Sequence, residues 1–312
     1  MYIESRIGWW YDLKEIKESK IRIKKDEKKD EYDTLGITME LEKSLRIDDE
    51  VKKEKHRKKE RARKKILKNI TILLLGLAVT AVCIFFIWLN DTYKTNEYSS
   101  HYMLSTGHVE VKTEKNGSVE FIPKANAKNV GVIIYPGQKI EPKSYARLSN
   151  IIANSKYNVF VPKLRFNFSP FSSNLATNII KDNPEINTWY LVAHSSSGDI
   201  ALNEAANQKK ISGVVFLGTY PSGDDLKLIN KPVLSIWGTK DGVLDLTRFN
   251  EYKNNMPANA HFYEIIGGNN TNFADIETVQ GDNKAIISAE SQQMQSANEI
   301  IAFINNSMKT KN

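Results

Sequence analysis

Along the chain, hydrophobic positions fall into three regimes. Through residues 1–69 they come in short clusters, such as I-G-W-W-Y at 7–11 and L-G-I-T-M-E-L at 35–41, between runs of Lys, Glu and Asp. A segment so charged buries too little apolar surface to make a core, so it is expected to be partly helical and partly disordered. Residues 70–89, I-T-I-L-L-L-G-L-A-V-T-A-V-C-I-F-F-I-W-L, carry no charge, with Thr71 and Thr80 as their polar residues. At ~1.5 Å per residue this stretch makes a helix of ~30 Å, the thickness of the bilayer hydrocarbon. It has no polar face, which a helix packed on a soluble core would keep. A single transmembrane helix is therefore expected at 70–89.

The third regime begins at residue 90. Residues 90–107 read as a stalk. Residues 108–123, H-V-E-V-K-T-E-K-N-G-S-V-E-F-I-P, alternate apolar and polar around Asn116-Gly117, a hairpin signal. Continuous apolar runs of strand length follow at 130–135, 158–161, 189–193, 213–217, 233–237 and 262–266. Segments of helical spacing at 143–155, 175–183, 199–207 and 246–255 separate most of them, and a last helix is expected at 289–307. Apolar strands alternating with helices predict an α/β domain over residues 108–312, a mostly parallel sheet with helices on both faces. In such sheets the site lies outside the carboxyl ends of the strands.

Charge sets the expected orientation. Residues 52–68 hold eleven Lys and Arg against two Glu, whereas Asp91, Lys94 and Glu97 nearly cancel after the span. The basic flank stays cytoplasmic, which predicts a single-pass protein of the cell membrane with residues 1–69 inside and the C-terminal domain outside. Some of these cations would lie against anionic lipid. A basic run also suits nucleic acid, but direct junction with an apolar span favours the membrane, and no nucleic-acid partner is expected. The charged region is longer than that of a signal peptide, and no A-x-A-like site closely follows the apolar stretch. The net charge of +7 is thus mostly local and says little about the outer domain's substrate. The single cysteine, Cys83, lies within the span, so no intramolecular disulfide forms. The Trp9-Trp10 pair suits docking on a partner or a membrane surface, and residues 1–69 offer room for a protein partner.

At the strand ends lie P-G-Q-K (136–139), H-S-S-S-G (194–198), G-T-K-D-G (238–242) and G-G-N-N-T-N-F (267–273). A serine hydrolase needs a serine on a tight strand-to-helix turn, N–H donors for an oxyanion, an acid, and a histidine between acid and serine. Ser195 and Asp241 fit the first and third of these in chain order, and residues 267–273 are where the histidine should fall.

These motifs carry a resemblance. From residue 130 to residue 304 the chain resembles the compact, lidless α/β-hydrolases of the fold-5 type. The landmarks are Y-P-G-Q-K, A-H-S-S-S-G, T-Y-P-S-G-D-D-L, W-G-T-K-D-G, and G-G-N-N-T-N-F followed by Q-G-D-N and Gln292-Gln293. The resemblance implies an α/β-hydrolase fold, with Ser195 as nucleophile, Asp241 as the acid, and the backbone N–H groups of Gln138 and Ser196 as the oxyanion hole. It implies no cofactor, and no metal-ligand pattern stands out; Asp224-Asp225 suits turn geometry or helix capping.

Two departures bear on function. The elbow reads Ala193-His194-Ser195-Ser196-Ser197 in place of G-x-S-x-G, with Ala and Ser small enough for the close approach of strand and helix. A register with Ser196 as nucleophile would put His194 at a crowded position. The second departure is at Asn270, where the family pattern G-G-N-H-x-x-F has its histidine. Asparagine cannot take a proton near neutral pH. Of the five histidines, His56 precedes the span, His101 is in the stalk, and His108 and His261 read as surface or packing residues. His194 flanks the serine at a position that is often His in the family without being the base. Phe166, Phe168 and Phe171 suit a shallow cleft or core packing equally.

Three readings stay open at this level. One is a membrane-anchored serine hydrolase of a small or surface-bound ester or amide, with a degenerate triad. Another is a catalytically impaired pseudoenzyme acting as an extracytoplasmic binding or scaffold domain. A third gives the main role to the inner segment, with the outer domain as a sensor.

Overall fold

The computed structural model describes residues 34–309. The chain falls into two units, Met1–Leu77 and Ala78–Asn312. In the first, the described residues belong to one helix, α1 (Thr34–Asn90), which continues across the boundary. Its charged part, expected to be only partly ordered, is helical from residue 34; the Trp9-Trp10 cluster lies outside the described residues. The stretch Gly36–Trp88 is long and apolar enough to cross a membrane, and its most apolar window is 0% buried. A core helix of a soluble protein would bury that surface, so α1 is a candidate membrane span.

The second unit is built on an eight-stranded sheet. Its strands are β1 (Val109–Thr113), β2 (Val119–Pro123), β3 (Val130–Tyr135), β4 (Asn158–Val161), β5 (Thr188–His194), β6 (Ile211–Leu217), β7 (Val233–Gly238) and β8 (His261–Ile265). Their order across the sheet is β1-β2-β4-β3-β5-β6-β7-β8. The expected hairpin is β1-β2, and it joins the sheet by antiparallel pairing of β2 with β4. All other neighbours are parallel. This is the α/β-hydrolase fold, a mixed, mostly parallel sheet.

Strand alternation divides the core into two faces. On one, Val132 and Ile134 of β3, Tyr190 and Val192 of β5, and Val215 and Leu217 of β6 pack with Leu148 and Ile152 and with Ile300 and Ile304. Those partners come from helix α3 (Ala146–Asn154) and the C-terminal helix (Ala289–Lys309). On the other, Ile133, Tyr135, Leu191 and Phe216 pack with Ala176 and Ile180 of α4 (Leu175–Asp182) and with Ala201 and Leu202 of α5 (Gly198–Asn207). The central strands are buried on both faces, which explains their unbroken apolar runs.

The segment expected as a stalk is laid on this unit instead. Tyr93 N–H donates to the Lys139 carbonyl (3.0 Å) and Asn96 N–H to that of Asp275 (3.0 Å). Thr95 bridges Ile276, and residues Glu97–Tyr102 form a short helix, α2, whose Ser99 hydroxyl donates to the Lys143 carbonyl. The Arg147 guanidinium lies 5.7 Å and 5.2 Å from the ring centres of Tyr98 and Tyr102. The tyrosines supply the apolar and cation-binding surface that holds this segment down.

Candidate active site

The site forms where the carboxyl ends of β3, β5, β7 and β8 meet. The chain leaves β5 at His194 and turns sharply at Ser195, whose φ is +50°. Residues Ser195–Ser197 make one 3-10 turn before α5 begins at Gly198. The left-handed region is costly for a residue with a Cβ, so this turn is held by its surroundings. Ala193 and Ser197 are fully buried, as the elbow's small positions require, and Ser197 Oγ donates to the Pro136 carbonyl. The tightest approach falls one residue later: a Cβ on Gly198 would come within 2.6 Å of the Tyr220 carbonyl oxygen.

Ser195 is half-buried and lines a cavity of about 550 Å³ together with Gln138, Ser196 and Asn270. The two positions expected to supply oxyanion donors are neighbours, since Gln138 N–H donates to Ser196 Oγ at 2.9 Å. The loops after β7 and β8 are pressed together, and a Cβ on Gly238 would lie 2.2 Å from the Gly268 carbonyl carbon. This approach sets Asp241 beside Asn270, with Asn270 Nδ2 donating to Asp241 Oδ2 at 2.9 Å and to the Gly218 carbonyl at 3.1 Å. The other carboxylate oxygen of Asp241 accepts from Val243 N–H (2.9 Å) and Leu244 N–H (2.8 Å). Burial pushes the Asp241 carboxyl up to about 6, against the lowering by these hydrogen bonds.

Behind the serine runs a one-way chain of hydrogen bonds. Gly137 N–H donates to Tyr145 Oη (2.8 Å), which lies 2.7 Å from His194 Nδ1. His194 Nε2 is 3.1 Å from both the carbonyl and the side-chain oxygen of Asn270. A carbonyl only accepts, so Nε2 carries the proton and Nδ1 accepts from the tyrosine hydroxyl. The Asn270 side chain passes the sequence on to Asp241. His194 is fully buried, and burial pulls it down to about 4, so it is a neutral ring spanning two partners at neutral pH. Its folded value lies below the ordinary one of 6.5, so the unfolded chain binds more protons between pH 4 and 6.5 and stability rises with pH there. Relative to His194→Gln, the wild-type chain is expected to gain about 3 kcal/mol of unfolding free energy across that window. Denaturant titrations at several pH values check this; a parallel pair of curves would contradict it.

Several residues essential to this arrangement had no role in the sequence reading. Asp282, in Q-G-D-N, ties the two loops: Oδ1 accepts from Gly242 N–H (2.9 Å) and Oδ2 from Thr271 N–H (2.7 Å) and Thr271 Oγ1 (2.6 Å). Gln292 grips the Asn269 backbone on both sides, accepting from its N–H (3.0 Å) and donating to its carbonyl (2.7 Å). These landmarks were visible as motifs; Tyr145, the partner of His194, was not. The other histidines stay away from the cavity lining. His261 begins β8 at the amino end and faces Glu299 at 3.8 Å, while His56, His101 and His108 are exposed.

Residues 131–294, more than half of the chain, match the alpha/beta hydrolase family, and the chain belongs to that family. No curated protein matches it in sequence. Among solved structures, it is similar to a bacterial membrane phospholipase A described as a virulence factor, with 11% identity over 77% of this chain and 99% of that one and a TM-score of 0.48. It is also similar to MGS-MChE2, an alpha/beta hydrolase enzyme from a lagoon-sediment metagenome of Mar Chica, Morocco (15% identity, 52% and 89% covered, TM-score 0.42). A third is alpha/beta hydrolase domain-containing protein 10 from mouse (11% identity, 64% and 98% covered, TM-score 0.42). At these identities the likeness is one of fold and does not bear on substrate.

Proposed function

We propose that the chain is a membrane-anchored α/β-hydrolase that cleaves an ester or amide through Ser195 with a degenerate triad. Residues 70–89 are its transmembrane helix, residues 1–69 its cytoplasmic segment, and the hydrolase domain lies outside the cell membrane. Asp241 takes the acid's place and Asn270 the histidine's; the N–H groups of Gln138 and Ser196 serve as oxyanion donors. The observation that carries this reading is the strained backbone at Ser195 (φ +50°) beside a cavity it shares with Asn270 and Gln138. Strain of this kind costs about 1–3 kcal/mol and persists where the surroundings impose it, as at nucleophile elbows.

In this mechanism Ser195 Oγ attacks the carbonyl carbon and the oxyanion takes the Gln138 N–H after the exposed Ser196 hydroxyl rotates away. Asn270 cannot accept the serine proton, so water takes it and later protonates the leaving group; a second water then hydrolyses the acyl-serine. Loss of the base makes turnover slow: triad losses lower kcat by ~10⁴–10⁶-fold, while oxyanion stabilisation and binding alone keep ~10³–10⁴-fold over water.

A specific observation favours a second reading, that of a pseudoenzyme acting as a binding or scaffold domain. Asn270 spends both ends of its carboxamide on His194, Asp241 and Gly218, and Gln138 N–H is already engaged by Ser196. An active-serine phosphonate separates the two. The hydrolase reading expects slow labelling of the full-length chain in detergent, abolished by Ser195→Ala, and no labelling at long exposure would leave the pseudoenzyme.

A further inference from the structure

We propose that the cavity takes its ligand from the bilayer surface, an amphiphile whose ester or amide carbonyl reaches Ser195 while its acyl chain stays among aromatic side chains at the mouth. The inference rests on residues 70–89 as the membrane span and, for the carbonyl, on the Ser195 reading.

The first support is covalent. Trp88, which ends the candidate span, lines the same cavity as Ser195, and so does Tyr93. The Lys139 ammonium lies 4.3 Å from the centre of the Trp88 ring. Whatever direction the helix takes, Tyr93 is fixed to the cavity rim by its N–H bond to the Lys139 carbonyl (3.0 Å). Only five steps of chain separate it from Trp88, a reach of at most about 18 Å. The end of the span therefore cannot leave the neighbourhood of the mouth.

The second support is a loop with no role in the hydrogen-bond chain behind Ser195. Phe166 and Asn167 both have left-handed backbones (φ +53° and +51°), and Phe166 and Phe171 hold 47% and 45% of their surface exposed. A strained turn here presents two phenylalanines outward, each with nearly half of its surface in solvent. Their rings meet edge to face at 6.1 Å, and Phe86 of the span lies edge-on to Phe166 at 5.6 Å. The loop is anchored to the site: Lys139 N–H donates to the Asn167 carbonyl (2.8 Å) and Ser169 Oγ to the Ser196 carbonyl (2.8 Å). Val243 also lines the cavity and is 39% exposed. Aromatic rings at the end of a span favour the headgroup region, and an apolar patch kept in water would be a liability. A hydrophilic ligand arriving from solution needs neither.

The full-length chain in phosphatidylcholine vesicles carrying a trace of diazirine-acyl phosphatidylcholine tests this without using Ser195. Light is expected to cross-link lipid to peptides containing residues 166–171 and 243 as well as to the span. A Phe166→Ser/Phe171→Ser chain is expected to lose about tenfold of the rim signal relative to the span signal, the effect of ~1.4 kcal/mol of lost contact. Cross-links confined to residues 70–89, or a rim signal that the double substitution leaves intact, would overturn the inference. A soluble short-chain phosphonate run in parallel keeps the readings apart. Serine labelling without rim cross-links overturns this inference and leaves the hydrolase. Rim cross-links without serine labelling sustain the bilayer ligand and overturn the hydrolase.

Discussion

Asn270→His is expected to raise ester hydrolysis by at least about 10²-fold, because in the proposed mechanism it installs the absent base between Asp241 and Ser195. The surroundings accept the change. Asp241 Oδ2 already receives an N–H from residue 270 at 2.9 Å, the bond an imidazole Nδ1–H would make. His194 loses the side-chain oxygen of Asn270 but keeps its backbone carbonyl at 3.1 Å. Asn270 and Ser195 line the same cavity. The neutral imidazole is the base, so the added rate should climb with pH through the new histidine's pKa and then level. A p-nitrophenyl ester assay against pH checks both statements. No gain, in a chain that still folds, would mean that residue 270 does not face the serine or that the oxyanion donors are not available.

Arg147→Met should produce the largest loss of stability, about 3–5 kcal/mol, because it strands a buried carboxylate. Asp275 is fully buried and receives Arg147 Nε (3.1 Å) and Nη2 (3.1 Å). Without the guanidinium it keeps Gln293 Nε2 at 3.3 Å. The strap from residue 93 to residue 102 also loses the cation beneath Tyr98 and Tyr102. At about 2–4 °C per kcal/mol for a domain of this size, Tm should fall by about 10 °C. Burial already raises the Asp275 carboxyl, and removing the arginine raises it further, so acid should restore part of the loss. A variant as stable as the wild type would show that the buried pair is dispensable.

Much of the fold was legible because its signals are local. The apolar runs of β3, β5 and β6 are continuous because helices cover both faces, and Asn116-Gly117 marked the hairpin from its turn alone. The strap was misread as a stalk because its tyrosines act on Arg147 and its Asn96 N–H on the Asp275 carbonyl, residues far along the chain. The site shows the same division. Ser195 and Asp241 could be picked out from turns at strand ends, with Asn270, Gln138 and Ser196 following from the resemblance. The chain from Tyr145 through His194 could not, since it depends on a turn after β3 folding back beneath β5. His194 read as a bystander beside the serine, yet its hydrogen bonds fix which way the Asn270 carboxamide points. That orientation turns the amide NH2, not its oxygen, toward Asp241.

In the proposed function Ser195 is a positioned nucleophile that lacks a base. Mass spectrometry of the full-length chain after exposure to an active-serine phosphonate tests this most directly, with wild type, Ser195→Ala and Asn270→His followed side by side. A slow adduct is expected on the peptide carrying Ser195, absent in Ser195→Ala and accelerated in Asn270→His. An adduct on another residue that survives Ser195→Ala, or none in any of the three, would contradict it.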